Sequence, residues 1–345
     1  MADTGFDAVE SPDETTIFEY HDLEPPTTRD VYETRQIVSQ NLPRTPLVRS
    51  ESLSETLDAD VFLKREDTLP TGSFKIRGMY ALLDDLDSVF HEKGVLTASM
   101  GNHGQAMAYA ARDFGIPATV VVPETLENPG KIRAMEQMGA AVRTIGEDFD
   151  EAREHAESLA REHPYRYVHG GNEAPLVAGR ASAGLEVMDD RPDVDVLINP
   201  VGGGSSASAY SLTVGRLLGA RVVGVQSASA DAVYRAWSGG DIEVLETANT
   251  IAEGLATRTP FALPLTIIKE HMDDFVLVED DAIGRAVYRL LDQESIVAEG
   301  AGAAGVAAAL ERGEELAGKT VVLPITGRNI ATEKLRAIID EYGNQ

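Results

Sequence analysis

Short apolar runs alternate with segments of helical periodicity along most of the chain, and this alternation restricts the fold more than any other feature. Runs rich in β-branched and other apolar residues occupy positions 61–64, 95–98, 118–122, 194–198 and 320–325. Such alternation is typical of parallel sheets covered by helices on both faces, so we expect an α/β protein. Ligands bind at the carboxyl ends of strands in these sheets, and loops that follow strands are therefore the candidates for function.

Composition and charge exclude several classes of protein. The chain has 345 residues, a net charge of −27 and no cysteine. It can therefore form no disulfide, thiolate metal site or cysteine nucleophile. The negative charge argues against nucleic-acid partners and anionic membranes. Carboxylates spread along the chain, with seven lysines in all, predict a halophilic protein.

The chain is long enough for more than one domain. We predict an acidic N-terminal arm at residues 1–30, a large domain at 31–93 plus 166–345, and a small domain at 94–165. No apolar run is long enough to span a bilayer, and the N-terminus has no basic segment of a signal peptide. We therefore expect a cytoplasmic protein with no membrane partner.

The first loop of interest presents a lysine at the start of a helix. Pro70 and Gly72 indicate a turn, and Ser73 is predicted to cap a helix over 76–86. The positive end of the helix dipole should lower the pKa of Lys75 and make its amine a better nucleophile. For an isolated lysine, an ordinary solvated side chain is the competing interpretation.

The second loop follows the strand at 95–98. Its backbone N–H groups open a helix over 104–114, and it offers side-chain donors from Ser99, Asn102 and His103. Such donors suit a carboxylate or phenolate oxygen. A polar turn with two glycines is the alternative.

The third loop consists of Gly202, Gly203, Gly204 and Ser205, after the strand at 194–198. Glycines let a ligand approach the backbone, and the helix predicted over 207–218 supplies free N–H groups, which predicts a phosphate site. A structural turn is the alternative.

Two segments near the C-terminus also invite interpretation. Thr326, at the end of the last strand, could direct a neutral hydroxyl into the same crevice, or it could lie in a solvent-facing turn. Residues 313–320 match the pattern GxxxxGK[ST] at Lys319, but a helix precedes them and a strand follows. A true P-loop has the reverse order, so nucleotide binding is rejected there.

An activated lysine, a phosphate cradle and a carboxylate cradle together suit pyridoxal phosphate. The chain resembles the β-family (fold type II) pyridoxal-phosphate enzymes, whose fold is like tryptophan synthase β, and most of all the threonine dehydratase and serine racemase branch. The resemblance extends from about residue 25 to the C-terminus. It rests on Lys64-Arg65-Glu66-Asp67, Ser73-Phe74-Lys75-Ile76-Arg77-Gly78, the loop from Ser99 to Gln105, the glycines from Gly202 with Ser205, Ala298-Glu299-Gly300-Ala301-Gly302-Ala303, and Thr326.

The resemblance implies two parallel-sheet domains with the cofactor in the cleft between them. It implies that Lys75 forms a Schiff base with the cofactor and later moves the Cα proton of the substrate. It further implies that Phe74 packs on the cofactor ring, that Asn102 binds the ring oxygen and that Thr326 faces the ring nitrogen. The remaining implied ligands are Ser99, Asn102 and His103 for the substrate carboxylate, and Gly202, Gly203, Gly204 and Ser205 for the phosphate.

The function implied is a threonine/serine dehydratase, a lyase that converts L-threonine to 2-oxobutanoate and ammonia, in a homodimer or larger oligomer. Alternatives are a dehydratase of another 3-hydroxy amino acid (hydroxyaspartate or a hydroxyectoine product), threonine synthase, or a non-catalytic protein on the same fold. Met100 stands where related serine racemases carry a serine base, which disfavours racemisation. Gln226 replaces a glutamate of the branch's cation segment and leaves Asp231 as the nearby carboxylate, so no metal is predicted.

Overall fold

The computed structural model describes residues 23–125, 129–240 and 244–343, and in these ranges it contains ten strands and fifteen α-helices. The strands are β1 Leu47–Arg49, β2 Asp60–Lys64, β3 Val95–Ala98, β4 Ala118–Val122, β5 Ala141–Thr144, β6 Arg166–Tyr167, β7 Val196–Pro200, β8 Arg221–Ser227, β9 Asp274–Val278 and β10 Thr320–Pro324. The helices are α1 Thr28–Asn41, α2 Glu51–Leu57, α3 Lys75–Asp84, α4 Val89–Lys93, α5 Asn102–Phe114, α6 Pro129–Gln137, α7 Phe149–Glu162, α8 Ala174–Asp190, α9 Ser205–Tyr210, α10 Ala232–Trp237, α11 Ala262–His271, α12 Asp280–Glu294, α13 Gly300–Glu311, α14 Gly313–Leu316 and α15 Thr332–Tyr342.

The strands form two sheets, as the alternation predicts. The larger sheet has the order β1-β2-β10-β7-β8-β9, and the smaller has the order β5-β4-β3-β6. All neighbours are parallel except β1 and β2. The expectation of an α/β fold is confirmed, with one antiparallel edge strand that the sequence pattern did not reveal.

The predicted segment boundaries differ from the structure at two places. Residues 1–22 of the predicted arm lie outside the described residues, and α1 already begins at Thr28. Thr27 caps this helix in a capping box with Asp30, which is why the helix starts before the predicted end of the arm. Strand β6, at residues 166–167, was predicted to lie in the large domain, but it pairs with β3 in the smaller sheet. The division into two domains otherwise stays a prediction.

Helix α13 packs very closely against β7 and the loop after β10. It consists almost wholly of alanine and glycine and is buried on all sides against the larger sheet. A Cβ on Gly305 would lie 2.9 Å from the carbonyl oxygen of Ile198, and one on Gly302 would lie 2.5 Å from that of Gly327. The small residues therefore let α13 lie directly against β7 and the loop after β10.

The helix predicted over 207–218 was wrong in its bounds. Helix α9 begins at Ser205, and a π-helical turn follows at Ser211–Gly215. Thr213 donates its hydroxyl to the carbonyl of Ala209 at 2.7 Å, in competition with the backbone. Among the helices of the described ranges, none is long and apolar enough to cross a membrane.

Candidate active site

The lysine loop is held against the end of β10 by backbone contacts. Lys75 is the first residue of α3, as predicted, with Phe74 at the N-cap position. The N–H of Phe74 donates to the carbonyl of Thr326 at 3.1 Å, and Ser73 forms a β-bridge with Gly327. The structure therefore brings Lys75 and Thr326, which are far apart in sequence, to the same place.

The predicted capping role of Ser73 was wrong. Helix α3 has no side-chain cap, and the buried hydroxyl of Ser73 has no hydrogen-bond partner among the described residues. Ser73 is drawn into the bridge with Gly327, so its side chain does not reach back to the first turn of the helix.

The surroundings of Lys75 favour the neutral form of its amine. Burial, and next the positive charge of Arg180, lower the pKa of Lys75 to about 7, while Glu299 acts in the opposite direction. The direction agrees with the sequence argument, but the main cause is desolvation of the ammonium group and not the helix terminus.

The second loop holds its donors in place through Ser99. The Oγ atom of Ser99 accepts the N–H of Gly101 at 3.2 Å and the N–H of Gly104 at 2.9 Å. Because this oxygen accepts two backbone donors, its own proton is available to an incoming oxygen. His103 is buried nearby, and burial together with the charges of Lys75 and Arg180 lowers its pKa well below the usual range. Its ring is therefore neutral at pH 7.

Asn102 is oriented by two groups from the other end of the chain. Its Nδ2 donates to Oε1 of Glu299 at 2.7 Å, and its Oδ1 accepts Nδ2 of Asn329 at 2.7 Å. Asn329 also donates to the carbonyl of Thr71 at 2.9 Å, which ties this group to the lysine loop. Burial raises the pKa of Glu299. Sequence reasoning missed Asn329, although its position three residues after Thr326 was a usable signal.

The glycine loop approaches a segment that follows β8 in the sequence. A Cβ on Gly202 would lie 2.2 Å from the carbonyl oxygen of Gly254, and one on Gly203 would lie 2.1 Å from the ring of Phe261. Gly204 has a φ of +86°, a conformation that favours glycine. Close packing thus excludes side chains at Gly202 and Gly203, so the loop presents backbone at these positions.

Glu299 links the glycine loop to the other loops. Its Oε1 lies 4.0 Å from the Cβ position of Gly254, which itself touches the glycine loop, and 2.4 Å from that of Gly327. Together with its bond to Asn102, these contacts connect the second loop, the third loop and the end of β10. The second loop, the third loop and the end of β10 therefore lie around one region, called the cleft from here on.

Arg180 is a site residue that sequence reasoning missed. It projects from α8, and its guanidinium carbon lies 5.6 Å from the centre of the Phe74 ring. The residue is 2% exposed, and within the described ranges none of its three side-chain nitrogens has a hydrogen-bond partner. A signal was present, because Arg180 is the one charged residue in the stretch 174–185.

In the segment considered for a cation, the amide oxygen of Gln226 and the carboxylate of Asp231 are engaged. Oε1 of Gln226 accepts the N–H of Tyr234 at 3.0 Å, and Asp231 pairs with Arg235 at 2.9 Å. No cluster of three or more potential metal ligands occurs among residues 23–125, 129–240 and 244–343.

The residues of the cleft fit pyridoxal phosphate. Lys75 has an amine that is easily deprotonated, the glycine loop leaves its backbone free of side chains, and the side chains of Ser73 and Arg180 have buried donors without partners among the described residues. These are the parts needed for covalent attachment, for a phosphate and for further anionic oxygens.

Comparison with known proteins agrees with this fit. The family model described as "Pyridoxal-phosphate dependent enzyme" matches residues 38–327, so the chain belongs to this family. It is 37% identical to the L-threonine ammonia-lyase of Thermotoga maritima over 316 residues, which cover 91% of this chain and 78% of that protein. The expected family, fold and cofactor are thereby confirmed.

Two solved structures share the fold over most of their length. The processed threonine deaminase isoform 2 of Solanum lycopersicum superimposes with a TM-score of 0.86 at 26% identity, covering 93% of this chain and 90% of that one. Maize serine racemase gives a TM-score of 0.86 at 26% identity, covering 93% of this chain and 99% of its own.

Proposed function

We propose that this protein is a pyridoxal-phosphate-dependent ammonia-lyase that acts on L-threonine or L-serine. The observation that carries the proposal is the pairing of the Lys75 loop with Thr326, which puts a deprotonatable amine beside a residue with a neutral hydroxyl. The similarity to an L-threonine ammonia-lyase over 91% of the chain supports the same conclusion.

The second loop binds the substrate carboxylate in this proposal. Ser99 and the neutral ring of His103 donate to its oxygens, and Asn102 is held ready by Glu299 and Asn329. Because Ser99 and Asn102 are fixed by their own hydrogen bonds before substrate arrives, little ordering of these two side chains remains to be done on binding.

Lys75 and Thr326 have different roles in the proposed reaction. The cofactor, when bound, supplies the electron sink that accepts the electrons of the Cα–H bond. Lys75 takes the Cα proton, and its lowered pKa suits an amine that both accepts and returns a proton near neutral pH. The Thr326 hydroxyl carries no charge and does not hold a proton on the ring nitrogen. This weakens the electron sink and favours prompt loss of the β-hydroxyl.

The overall reaction removes water and then ammonia. In the net elimination, the proton that Lys75 takes from Cα and the β-hydroxyl of threonine leave together as one water. Hydrolysis of the resulting imine gives 2-oxobutanoate and ammonia, so one water is lost and one is used. Serine gives pyruvate in the same way.

The remaining parts of the proposal concern the whole protein. We propose a cytoplasmic enzyme, because the chain carries no cysteine, and a halophilic one, because its 57 acidic residues are dispersed and outnumber its 30 basic residues. We also propose a homodimer and the division into two domains, both from the family resemblance.

The proposal is tested by assaying the purified holoenzyme in high salt with L-threonine, L-serine and 3-hydroxyaspartate as separate substrates. We expect 2-oxobutanoate from threonine at the highest kcat/KM, and no product from Lys75→Ala. Lys319→Gln is the matched control, because Lys319 lies in the rejected P-loop pattern and should leave activity unchanged.

Each alternative predicts a different result. Full activity in Lys75→Ala would overturn the mechanism, and a tenfold preference for 3-hydroxyaspartate would replace threonine as the substrate. Formation of threonine from O-phosphohomoserine without 2-oxobutanoate would identify a threonine synthase instead.

A further inference from the structure

Two arginines are buried near the lysine helix, and their surroundings differ sharply. Arg77 has carboxylates on two sides: its Nε donates to Glu66 at 2.7 Å and its Nη1 to Glu186 at 2.8 Å. Arg180 is equally inaccessible, yet its three nitrogens have no partner among the described residues. A buried guanidinium without an anion is strongly unfavourable, so Arg180 needs an anionic partner from beyond the described residues, and a bound ligand can supply it.

The charges around Arg180 make the need for an anion greater. Lys75 and His103 lie close enough for the charge of Arg180 to influence both of them. Burial lowers the pKa of Arg180 to about 9, and no carboxylate raises it. Glu299, which acts on Lys75, accepts a hydrogen bond from Asn102. The surroundings of Arg180 therefore hold a second cationic group, Lys75, and the neutral ring of His103.

Helix α8, which carries Arg180, contacts two helices that follow loops of the candidate site. Helix α8 packs against α3, where a Cβ on Gly78 would lie 3.1 Å from Nε of Arg180. The same helix packs against α9, which follows the glycine loop, and the two helices share two hydrophobic clusters, one with Ala183 and Ala207 and one with Ala181 and Ala209. Helix α8, which carries Arg180, thus contacts both the helix that carries Lys75 and the helix that follows the predicted phosphate loop.

Two anions could enter the cleft, and their needs differ. A substrate carboxylate has one negative charge and already has the donors of the second loop. A phosphate monoester carries close to two charges at pH 7, and the glycine loop with Ser205 offers it neutral donors alone. A guanidinium matches phosphate oxygens with two parallel N–H donors, which an ammonium group cannot do.

We propose that Arg180 binds the phosphate of pyridoxal phosphate and supplies the positive charge that the glycine loop lacks. The inference rests on the family assignment and on the burial of Arg180, and it holds whichever hydroxy amino acid is the substrate. Its failure is therefore separable from failure of the threonine proposal.

The test compares two ligands that differ by the phosphate group. The apoprotein of wild type and of Arg180→Gln is titrated with pyridoxal phosphate and with pyridoxal, and binding is followed by absorbance and by quenching of Trp237 fluorescence. We expect the variant to bind pyridoxal phosphate about 10- to 100-fold more weakly, the range for loss of a charge-assisted hydrogen bond. Binding of pyridoxal should change less than about threefold. Inorganic phosphate should compete with pyridoxal phosphate in wild type and much less in the variant.

A matched control uses the other end of the same helix. Arg191→Gln removes one positive charge at the C-cap of α8, from an arginine that also lies over a phenylalanine ring, 4.3 Å from the centre of Phe62. It should leave both affinities unchanged. Arg180→Lys keeps the charge but not the paired donors, so it should recover part of the lost affinity.

Three results would overturn the proposal. Equal weakening of both ligands in Arg180→Gln would show a structural role beside Phe74. Unchanged affinity for pyridoxal phosphate would exclude phosphate contact. Unchanged cofactor affinity with weaker binding of a dicarboxylate such as malonate would assign Arg180 to a second carboxylate of the substrate. Far-ultraviolet circular dichroism and the urea midpoint establish that each variant is folded before titration.

Discussion

The ionisation of Lys75 is the property of this site that can be measured most directly. With a pKa of about 7, about half of the Lys75 side chains carry a neutral amine at pH 7. A lysine with the ordinary pKa of 10.5 has about 0.03% in that form, so Lys75 presents roughly 1,500 times more nucleophile. The pKa of Lys75 can be measured by titrating the cofactor-free protein. The titration is then repeated in variants that change the charges around this amine.

Two substitutions should move the pKa of Lys75 in opposite directions. Glu299→Gln removes the negative charge that favours the ammonium form, so the pKa should fall below its wild-type value. Arg180→Gln removes a positive charge that disfavours it, so the pKa should rise. Burial, the largest cause, is almost unchanged by Glu299→Gln, because glutamine has nearly the volume of glutamate. Glutamine is smaller than arginine, and water admitted by Arg180→Gln would also raise the pKa of Lys75, in the expected direction.

The assay is carbon NMR of protein labelled with [ε-13C]lysine, since the chain has only seven lysines. The Lys75 signal is assigned by its loss in Lys75→Arg, and its shift is followed from pH 5 to 11. The reasoning is refuted if the signal titrates above about pH 9.5 in wild type. It is also refuted if Glu299→Gln and Arg180→Gln move the midpoint in the same direction.

Two further predictions concern stability and cofactor retention. Burial opposes ionisation of Glu186, but Arg77 outweighs it and lowers the pKa to about 2, a shift worth about 3 kcal/mol. A depressed carboxyl pKa stabilises the fold above pH 4.5, and this stabilisation is lost as the pH falls toward 2. Glu186→Gln should therefore lower the free energy of unfolding by about 3 kcal/mol at pH 7 and by little at pH 2.5. Equal urea midpoints for the variant and the wild type at pH 7 would contradict this prediction. Gly202→Ala would place a methyl group 2.2 Å from the backbone oxygen of Gly254, which cannot rotate away, so dialysis should remove pyridoxal phosphate at least tenfold faster than from wild type. Gly170→Ala is the control, since its Cβ would meet no atom closer than 4.0 Å, and equal retention in the two variants would argue against the cradle.

Local sequence patterns predicted the parts of this protein that depend on near neighbours. The alternation of strands and helices predicted the α/β class, and glycines after strands marked the loops that line the cleft. Lys75 was placed correctly at the start of α3 because a turn of proline and glycine precedes a helical pattern. The order of helix and strand around Lys319, with α14 before it and β10 after it, is also as the sequence indicated.

Predictions that needed a partner from elsewhere in the chain were incomplete or wrong. Ser73 was predicted to cap α3, but it forms a β-bridge with Gly327, a residue more than 250 positions away in the chain. The lowered pKa of Lys75 was expected from the helix terminus, whereas the structure attributes it chiefly to burial and to Arg180.

The sequence by itself indicated the fold class and singled out Lys75 as the candidate reactive lysine, because periodicity, turns and glycine-rich loops act over a few residues. The resemblance of its motifs indicated the family. Only the tertiary structure decided how that lysine is tuned and what orients the groups around it. Asn102 and Asn329, which share a hydrogen bond, are 227 residues apart in the chain. Arg180 became a candidate ligand-binding residue because the structure buries it without a hydrogen-bond partner among the described residues. Desolvation and pairing depend on every atom packed around a group, and that packing exists only after distant segments have come together.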